Sequence, residues 1–83
     1  MVSKKITVVN ASGLHARPAS VLAKEAGKCL SNVTIRVENK VVQAKSVLNI
    51  MAAGMKCGTE IELCCEGENE AEDLERLASL IES

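Results

Sequence analysis

The chain has 83 residues and a net charge of −1; 47% of its residues are hydrophobic, 25% are charged and none is aromatic. This composition excludes a disordered chain and predicts one globular domain over residues 1–83, with a core of aliphatic side chains, Met and Cys. No apolar run could cross a bilayer and residues 1–5 do not begin a signal peptide, so we expect a cytoplasmic protein with no membrane insertion.

The first half of the chain predicts a strand, a helix and a β-hairpin. Residues 5–9 are rich in β-branched side chains, which is typical of a strand. Residues 33–37 alternate apolar and polar side chains, so they predict a half-buried strand, with residues 41–44 as its hairpin partner. Between the first two strands, a helix is predicted by the i, i+3, i+4, i+7 spacing of four apolar residues, Ala19, Leu22, Ala23 and Ala26. We expect this helix to end at Gly27 or within residues 29–32.

The second half predicts a short helix, a strand and a last helix. Ser46 provides an N-cap for the short helix. In residues 60–65, Ile61, Leu63 and Cys65 alternate with Glu60, Glu62 and Cys64, which predicts one buried face and one solvated face. Asn69 and Glu72 have capping-box spacing before the last helix, whose apolar stripe consists of Leu74, Leu77, Ala78 and Ile81.

The predicted order βαββαβα indicates an α+β fold. Strands that alternate apolar and polar residues form antiparallel sheets with one solvated face, so the helices cover the other face. We therefore predict an open-faced two-layer β-sandwich.

Charge is distributed unevenly along the chain. Residues 1–56 carry nine Lys or Arg and two acids, a balance of +7, whereas residues 57–83 carry one Arg and nine acids, a balance of −8. The simplest interpretation is two solvated faces, of which the basic one attracts acidic partners. We expect no nucleic-acid partner, because the sequence has no dense run of basic residues and no aromatic residue for stacking.

The sequence has four cysteines, and their spacing matches no metal-binding motif. No pair has C-x-x-C spacing and the one histidine is distant, so we expect reduced thiols that pack as small hydrophobic side chains, with a redox or metal role as the alternative. These residues are Cys29, Cys57, Cys64 and Cys65.

The segment Gly13–Ala19 contains the only histidine and the only proline. Pro18 favours the first turn of a helix, which places His15 just outside a helix N-terminus where unpaired N–H groups point outward. Arg17 adds a positive charge suited to an oxyanion. The partial positive charge of the helix N-terminus and the charge of Arg17 favour the neutral, nucleophilic form of the His15 imidazole. The same two charges stabilise a phosphoryl group once it is attached to His15. We predict reversible phosphoryl carriage by His15; the alternative is an ordinary loop histidine.

Three segments, Gly13–Ala19, Lys45–Ser46 and Gly58–Ile61, make the chain resemble the HPr family over essentially its whole length. These proteins are the histidine-containing phosphocarriers of the phosphoenolpyruvate-dependent sugar phosphotransferase system. The resemblance implies four antiparallel strands covered by three helices. It also implies a monomeric phosphoryl carrier, not an enzyme, that needs no metal or organic cofactor.

The resemblance implies a role for each residue of the His15 motif. His15 accepts phosphate through Nδ1 from phosphorylated Enzyme I and passes it to the IIA components of sugar transporters. Arg17 contacts the phosphate, and the backbone amides of Ala16 and Arg17 face it.

Ser46 has a second role beside its predicted N-cap. The resemblance implies phosphorylation of Ser46 by an HPr kinase/phosphorylase, which adds about two negative charges to the basic face. This modification weakens Enzyme I binding and creates a surface for a catabolite-control regulator. The alternative function is therefore an HPr-like regulatory binding module that acts mainly through Ser46. Regulators of that kind lack the histidine, so His15 argues against regulation as the sole role.

The short helix after Ser46 carries more apolar residues than it can bury. Only one face of so short a helix can be buried, so we expect Val47, Leu48 and Met51 to contribute an apolar docking patch beside His15; the alternative is that they belong to the core. Val47, Leu48 and Asn49 also depart from the commonest family sequence at these positions.

Overall fold

Local sequence patterns account for the order of the elements. The structure, a computed structural model that describes residues 1–9 and 16–82, has the predicted order βαββαβα. Its strands are β1 (Val2–Thr7), β2 (Asn32–Val37), β3 (Lys40–Gln43) and β4 (Glu60–Glu66). Its helices are α1 (Ala16–Gly27), α2 (Val47–Ala52) and α3 (Glu70–Glu82).

The four strands form one antiparallel sheet in the order β1-β4-β2-β3. Ile6 faces Ile61 across β1 and β4, and Ile35 faces Leu63 across β2 and β4, so large apolar side chains pair along the inner face. With three helices beside this sheet, the predicted open-faced α+β sandwich is confirmed.

The core lies between the sheet and the helices, where the predicted apolar stripes are buried. The most enclosed large side chains are Ile35, Ile50, Leu63 and Leu77, each with 0% exposure. The α1 stripe is buried as predicted, and so is the α3 stripe, which extends by one polar residue, Asp73. Burial of these aliphatic side chains is the main contribution to stability.

The prediction of a solvated face on β4 is wrong at Cys64. This side chain is only 3% exposed, although it alternates with the core residues of the strand. Because β4 is a central strand, Cys64 has Ser3 beside it on β1 and Thr34 beside it on β2. A small side chain between two such neighbours is covered by them even on the face without helices.

The predicted capping box at the start of α3 is also wrong. Asn69 has φ +60°, whereas an N-cap residue has an extended backbone. The Gly67 N–H instead donates to Glu70 Oε1 at 3.1 Å, and Glu70 Oε2 lies 3.1 Å from the amino group of Met1. The carboxylate that accepts a backbone hydrogen bond at the start of α3 is therefore that of Glu70 and not that of Glu72.

Within residues 1–9 and 16–82, no helix combines the length and the apolar character needed to cross a membrane.

Candidate functional site

The chain approaches the His15 motif from a fixed position at the end of β1. Val8 N–H donates to Thr59 O at 2.9 Å, and Gly58 N–H donates to Val8 O at 2.8 Å. Gly58 has φ +90°, a backbone conformation that strongly favours glycine. The segment Gly58–Ile61, one of the three that carry the family resemblance, is therefore hydrogen-bonded to the chain just beyond the end of β1. His15 itself, with residues 10–14, lies outside the described residues.

The helix that follows His15 begins at Ala16, as the position of Pro18 predicts. Arg17 is the second residue of α1 and its side chain is exposed. Pro18 is the third, where a missing N–H breaks no helical hydrogen bond. Ala19 is fully buried and holds the first turn of α1 against the core. The guanidinium of Arg17 is thus on the surface at the end of the helix adjacent to His15.

Ser46 is the N-cap of α2, as predicted. It has φ −111° and ψ 114°, and its Oγ accepts a hydrogen bond from Asn49 N–H at 3.3 Å. Lys45, the residue before it, is exposed and its Nζ donates to Cys29 O at 3.5 Å, just beyond the end of α1. Helices α1 and α2 pack against each other, so the structure brings the helices that begin near His15 and Ser46 into contact. Phosphorylation of Ser46 stays a prediction.

The three predicted docking residues of α2 differ in exposure. Leu48 is 79% exposed and Met51 is 43% exposed, whereas Val47 is half-buried and packs against the core. The large exposed side chains of α2 are therefore Leu48 and Met51, which we call the α2 apolar surface. Their role in docking stays a prediction.

The structure also contains a polar cluster, buried at Ser31 and Asp73 and exposed at Arg76, that the sequence analysis did not identify. Ser31 Oγ donates to Asp73 Oδ2 at 2.8 Å, with both residues buried. Arg76, one turn further along α3, donates through Nη2 to Cys29 Sγ at 3.2 Å and to Glu25 O at 3.2 Å. Asp73 has the helical spacing of the α3 apolar stripe, four residues before Leu77, and this was the available signal. In the part of the chain that the structure describes, no three metal-binding side chains are grouped to hold an ion.

Comparison with known proteins agrees with this fold and this motif. The sequence model of the family described as the PTS HPr component phosphorylation site matches residues 2–83. The HPr-like protein Crh of Bacillus subtilis is 39% identical over 82 residues, which cover 99% of this chain and 96% of that protein. The phosphocarrier protein HPr of Lysinibacillus sphaericus is 38% identical over 81 residues, 98% of this chain and 92% of that protein.

Solved structures of HPr proteins superimpose on this chain. HPr-C-His from Thermoanaerobacter tengcongensis has a TM-score of 0.95 at 40% identity and covers all of this chain and 93% of its own. An HPr dimer from the same organism has a TM-score of 0.77 at 39% identity, with 99% of this chain and 94% of its own covered. Because the His15 motif, the fold and the sequence match over residues 2–83 all agree, we conclude that the chain belongs to the HPr family.

Proposed function

We propose that this protein is a phosphoryl carrier in which His15 receives a phosphoryl group from phospho-Enzyme I and delivers it to IIA components of sugar transporters. The observation that carries the proposal is the family match over residues 2–83, with the only histidine directly before α1. The exposed Arg17 supports it, because its guanidinium is available at the helix end where the phosphoryl group would be bound.

The chemistry that we propose for His15 is a reversible transfer. The lone pair of the neutral Nδ1 attacks phosphorus as the bond between phosphorus and its donor breaks. In delivery, a nucleophile of the IIA component attacks phosphorus and the bond between phosphorus and Nδ1 breaks, which returns the neutral imidazole. The α1 N-terminus and Arg17 stabilise the anionic phosphoryl group on His15. The protein then acts as a carrier rather than as an enzyme, because His15 is the phosphoryl acceptor in one transfer and the phosphoryl donor in the next.

The proposal includes a cytoplasmic monomer. In the structure all four cysteines are free thiols, which is typical of a reducing compartment. In this chain β1 pairs with β4 of the same chain, which supports a monomer.

The second candidate function is regulation through Ser46. It is favoured by the similarity to Crh over 99% of the chain and by the position of Ser46 as an N-cap on the helix that bears the α2 apolar surface. Phosphorylation there would replace a neutral cap with a phosphate that carries about two negative charges, next to the exposed Leu48. On this view the phosphorylated α2 binds a catabolite-control regulator after an HPr kinase/phosphorylase has acted.

One pair of reactions, each analysed by intact-mass spectrometry, distinguishes the two functions. With phosphoenolpyruvate and Enzyme I, we expect a single acid-labile phosphate that is absent from His15→Ala and retained in Ser46→Ala. With ATP and the seryl kinase, we expect an acid-stable phosphate with the opposite dependence on the two variants. No adduct with an Enzyme I that phosphorylates another HPr would contradict the carrier function, and no acid-stable adduct with an active kinase would contradict regulation through Ser46.

A further inference from the structure

The sulfur-containing side chains divide into an accessible set and an inaccessible set. The chain has four cysteines and three methionines, all within the residues that the structure describes. The buried ones are Cys29, Cys64, Cys65 and Met55, and the exposed ones are Cys57, Met1 and Met51. An oxidant in solution therefore reaches one thiol and two thioethers of the folded protein.

The three methionines form a series in accessibility. Met1 is 68% exposed, Met51 is 43% exposed and Met55 is 2% exposed. A thioether has no proton to lose before it is oxidised, so access to the sulfur controls its reaction. Met51 should therefore be oxidised in the folded protein, whereas Met55, four residues later, should be protected.

Met51 lies on the α2 apolar surface. It is three residues after Leu48, so the two side chains share one face of α2, and both are exposed. The carbonyl of Met51 accepts a hydrogen bond from Gly54 N–H at 3.2 Å, which holds the end of α2 that carries this side chain. A partner that covers Leu48 would therefore also cover the thioether of Met51.

Basic side chains border this surface and indicate the chemistry of its partner. Helix α1 packs against α2, and it carries the exposed Arg17 and Lys24. Lys45, which directly precedes the Ser46 cap, is also exposed. An apolar patch with a basic border is complementary to an apolar patch with an acidic border. Under the proposed function, on which this inference rests, the partner with that border is phospho-Enzyme I.

We propose that Met51 is a reversible oxidation site whose sulfoxide weakens the docking of phospho-Enzyme I. The thioether sulfur attacks one oxygen of hydrogen peroxide, the O–O bond breaks, and the sulfur keeps that oxygen and is oxidised by two electrons. The proton of the transferred oxygen moves to the departing hydroxide, which leaves as water. A methionine sulfoxide reductase supplied with a dithiol reverses the change: the dithiol is oxidised to a disulfide and the oxygen leaves as water.

The sulfoxide makes the α2 apolar surface polar without a large change of shape. Its oxygen is a hydrogen-bond acceptor that loses its hydration when an apolar partner covers it. We therefore expect the KM of Enzyme I for this protein to rise at least about fivefold, because a buried acceptor without a donor weakens binding. The kcat should change by less than about twofold, because the phosphoryl transfer to His15 is not altered.

The test measures the initial rate of acid-labile phosphate formation with phosphoenolpyruvate, a trace of Enzyme I and a range of concentrations of this protein. All samples carry Cys57→Ser, which removes the exposed thiol that peroxide would also oxidise. Each variant is compared before and after peroxide treatment, so the ratio of the two KM values does not depend on its starting rate. Trypsin places Met51 and Met55 in residues 46–56, and tandem mass spectrometry assigns the added oxygen to one of them.

The matched control is Met51→Leu, which keeps an apolar side chain and has no thioether. In the Cys57→Ser protein we expect oxygen on Met51 but not on Met55, a KM ratio of at least about five, and recovery of the original KM after the reductase. In the Met51→Leu protein the KM should be the same before and after peroxide, although the exposed Met1 is still oxidised.

An unchanged KM with Met51 fully oxidised would overturn the inference and leave the carrier function standing. An equal rise of KM in Met51→Leu would overturn it as well, because the effect would then come from another residue. So would a fall in Tm with oxygen on Met55, because unfolding would then explain the loss. No phosphorylation of the untreated protein by an active Enzyme I would contradict the carrier function itself, and the inference with it.

Discussion

Arg17 is the described side chain closest in sequence to His15, and its position predicts a role in transfer without a role in folding. It is exposed on the first turn of α1. Arg17→Ala should slow phosphorylation by phospho-Enzyme I at least about tenfold, because one charge-assisted hydrogen bond is worth about 1.5–3 kcal/mol. The Tm should change by less than about 3 °C, since exposed side chains contribute little to stability.

Rapid-quench measurement of acid-labile phosphate, with thermal unfolding of the same samples, checks this prediction. Arg17→Lys is the matched control, and we expect it to be faster than Arg17→Ala because it keeps the charge but loses the planar fork of donors. A large fall in Tm with a normal transfer rate would show that Arg17 is structural.

Ser46 combines a structural role that the structure describes with a regulatory role that we propose. Ser46→Ala removes the hydrogen bond to Asn49 N–H and should lower the free energy of unfolding by about 1 kcal/mol, with a Tm lower by about 4–8 °C. Ser46→Asp should keep most of the stability, because aspartate is a good N-cap, yet it should slow transfer from phospho-Enzyme I. Circular dichroism melts test the first expectation; an unchanged Tm in Ser46→Ala would contradict it.

Among the elements, α3 has at its N-terminal end a hydrogen bond from Gly67 N–H to the Glu70 carboxylate, in place of the predicted capping box. The hydrogen bond from Gly67 N–H, aided by the amino group of Met1, lowers the pKa of Glu70 from its ordinary value of 4.5. A lowered pKa in the folded state stabilises the fold above the ordinary value, and this contribution is lost as the pH falls through the lowered pKa.

Glu70→Gln should therefore lower the Tm at neutral pH, and its difference from the natural protein should shrink towards zero as the pH falls below the lowered pKa of Glu70. Glu72→Gln, an exposed carboxylate on the same turn, is the control and should change the Tm less. Thermal melts over this pH range provide the measurement. A Glu70→Gln effect of equal size at neutral and acid pH would contradict the assignment.

Element order and most of the core could be predicted because periodicity is local. The stripe that runs through Ala19, Leu22 and Ala26 identifies α1, and the alternation of Val33, Ile35 and Val37 identifies β2. Burial of Cys64 could not be predicted, because it depends on β4 being central and on the neighbours that the strand order supplies.

The cap of α3 was mispredicted for a related reason. Asn69 and Glu72 have the spacing of a capping box, but the positive φ of Asn69 is not that of an N-cap residue. Glu70 instead accepts the hydrogen bond from Gly67 N–H at this end of the helix. The Ser31–Asp73 pair spans 42 residues and was equally beyond local patterns. At the site, the motif predicted where α1 begins, but the transfer roles of His15 and Arg17 rest on the family resemblance.

Across the whole molecule, one core joins the sheet to all three helices, which predicts a single cooperative transition. The chain has no aromatic residue, so ultraviolet fluorescence and absorbance are poor probes. Far-ultraviolet circular dichroism and calorimetry should give coincident transitions with equal van't Hoff and calorimetric enthalpies.

Sedimentation equilibrium with interference optics should give the mass of one chain. Two separate transitions, or a dimer mass at micromolar concentration, would contradict a monomeric single domain.

The central claim is that the molecule passes phosphate between two larger partners. Its most direct test is a reconstituted relay of phosphoenolpyruvate, a trace of Enzyme I, this protein in small amount and a IIA component in excess. Phosphorylated IIA should accumulate to many equivalents of the carrier and stay at background with His15→Ala. Phosphorylated IIA that appears equally without the carrier, or a phosphorylated carrier that transfers nothing to IIA components active with another HPr, would contradict the account.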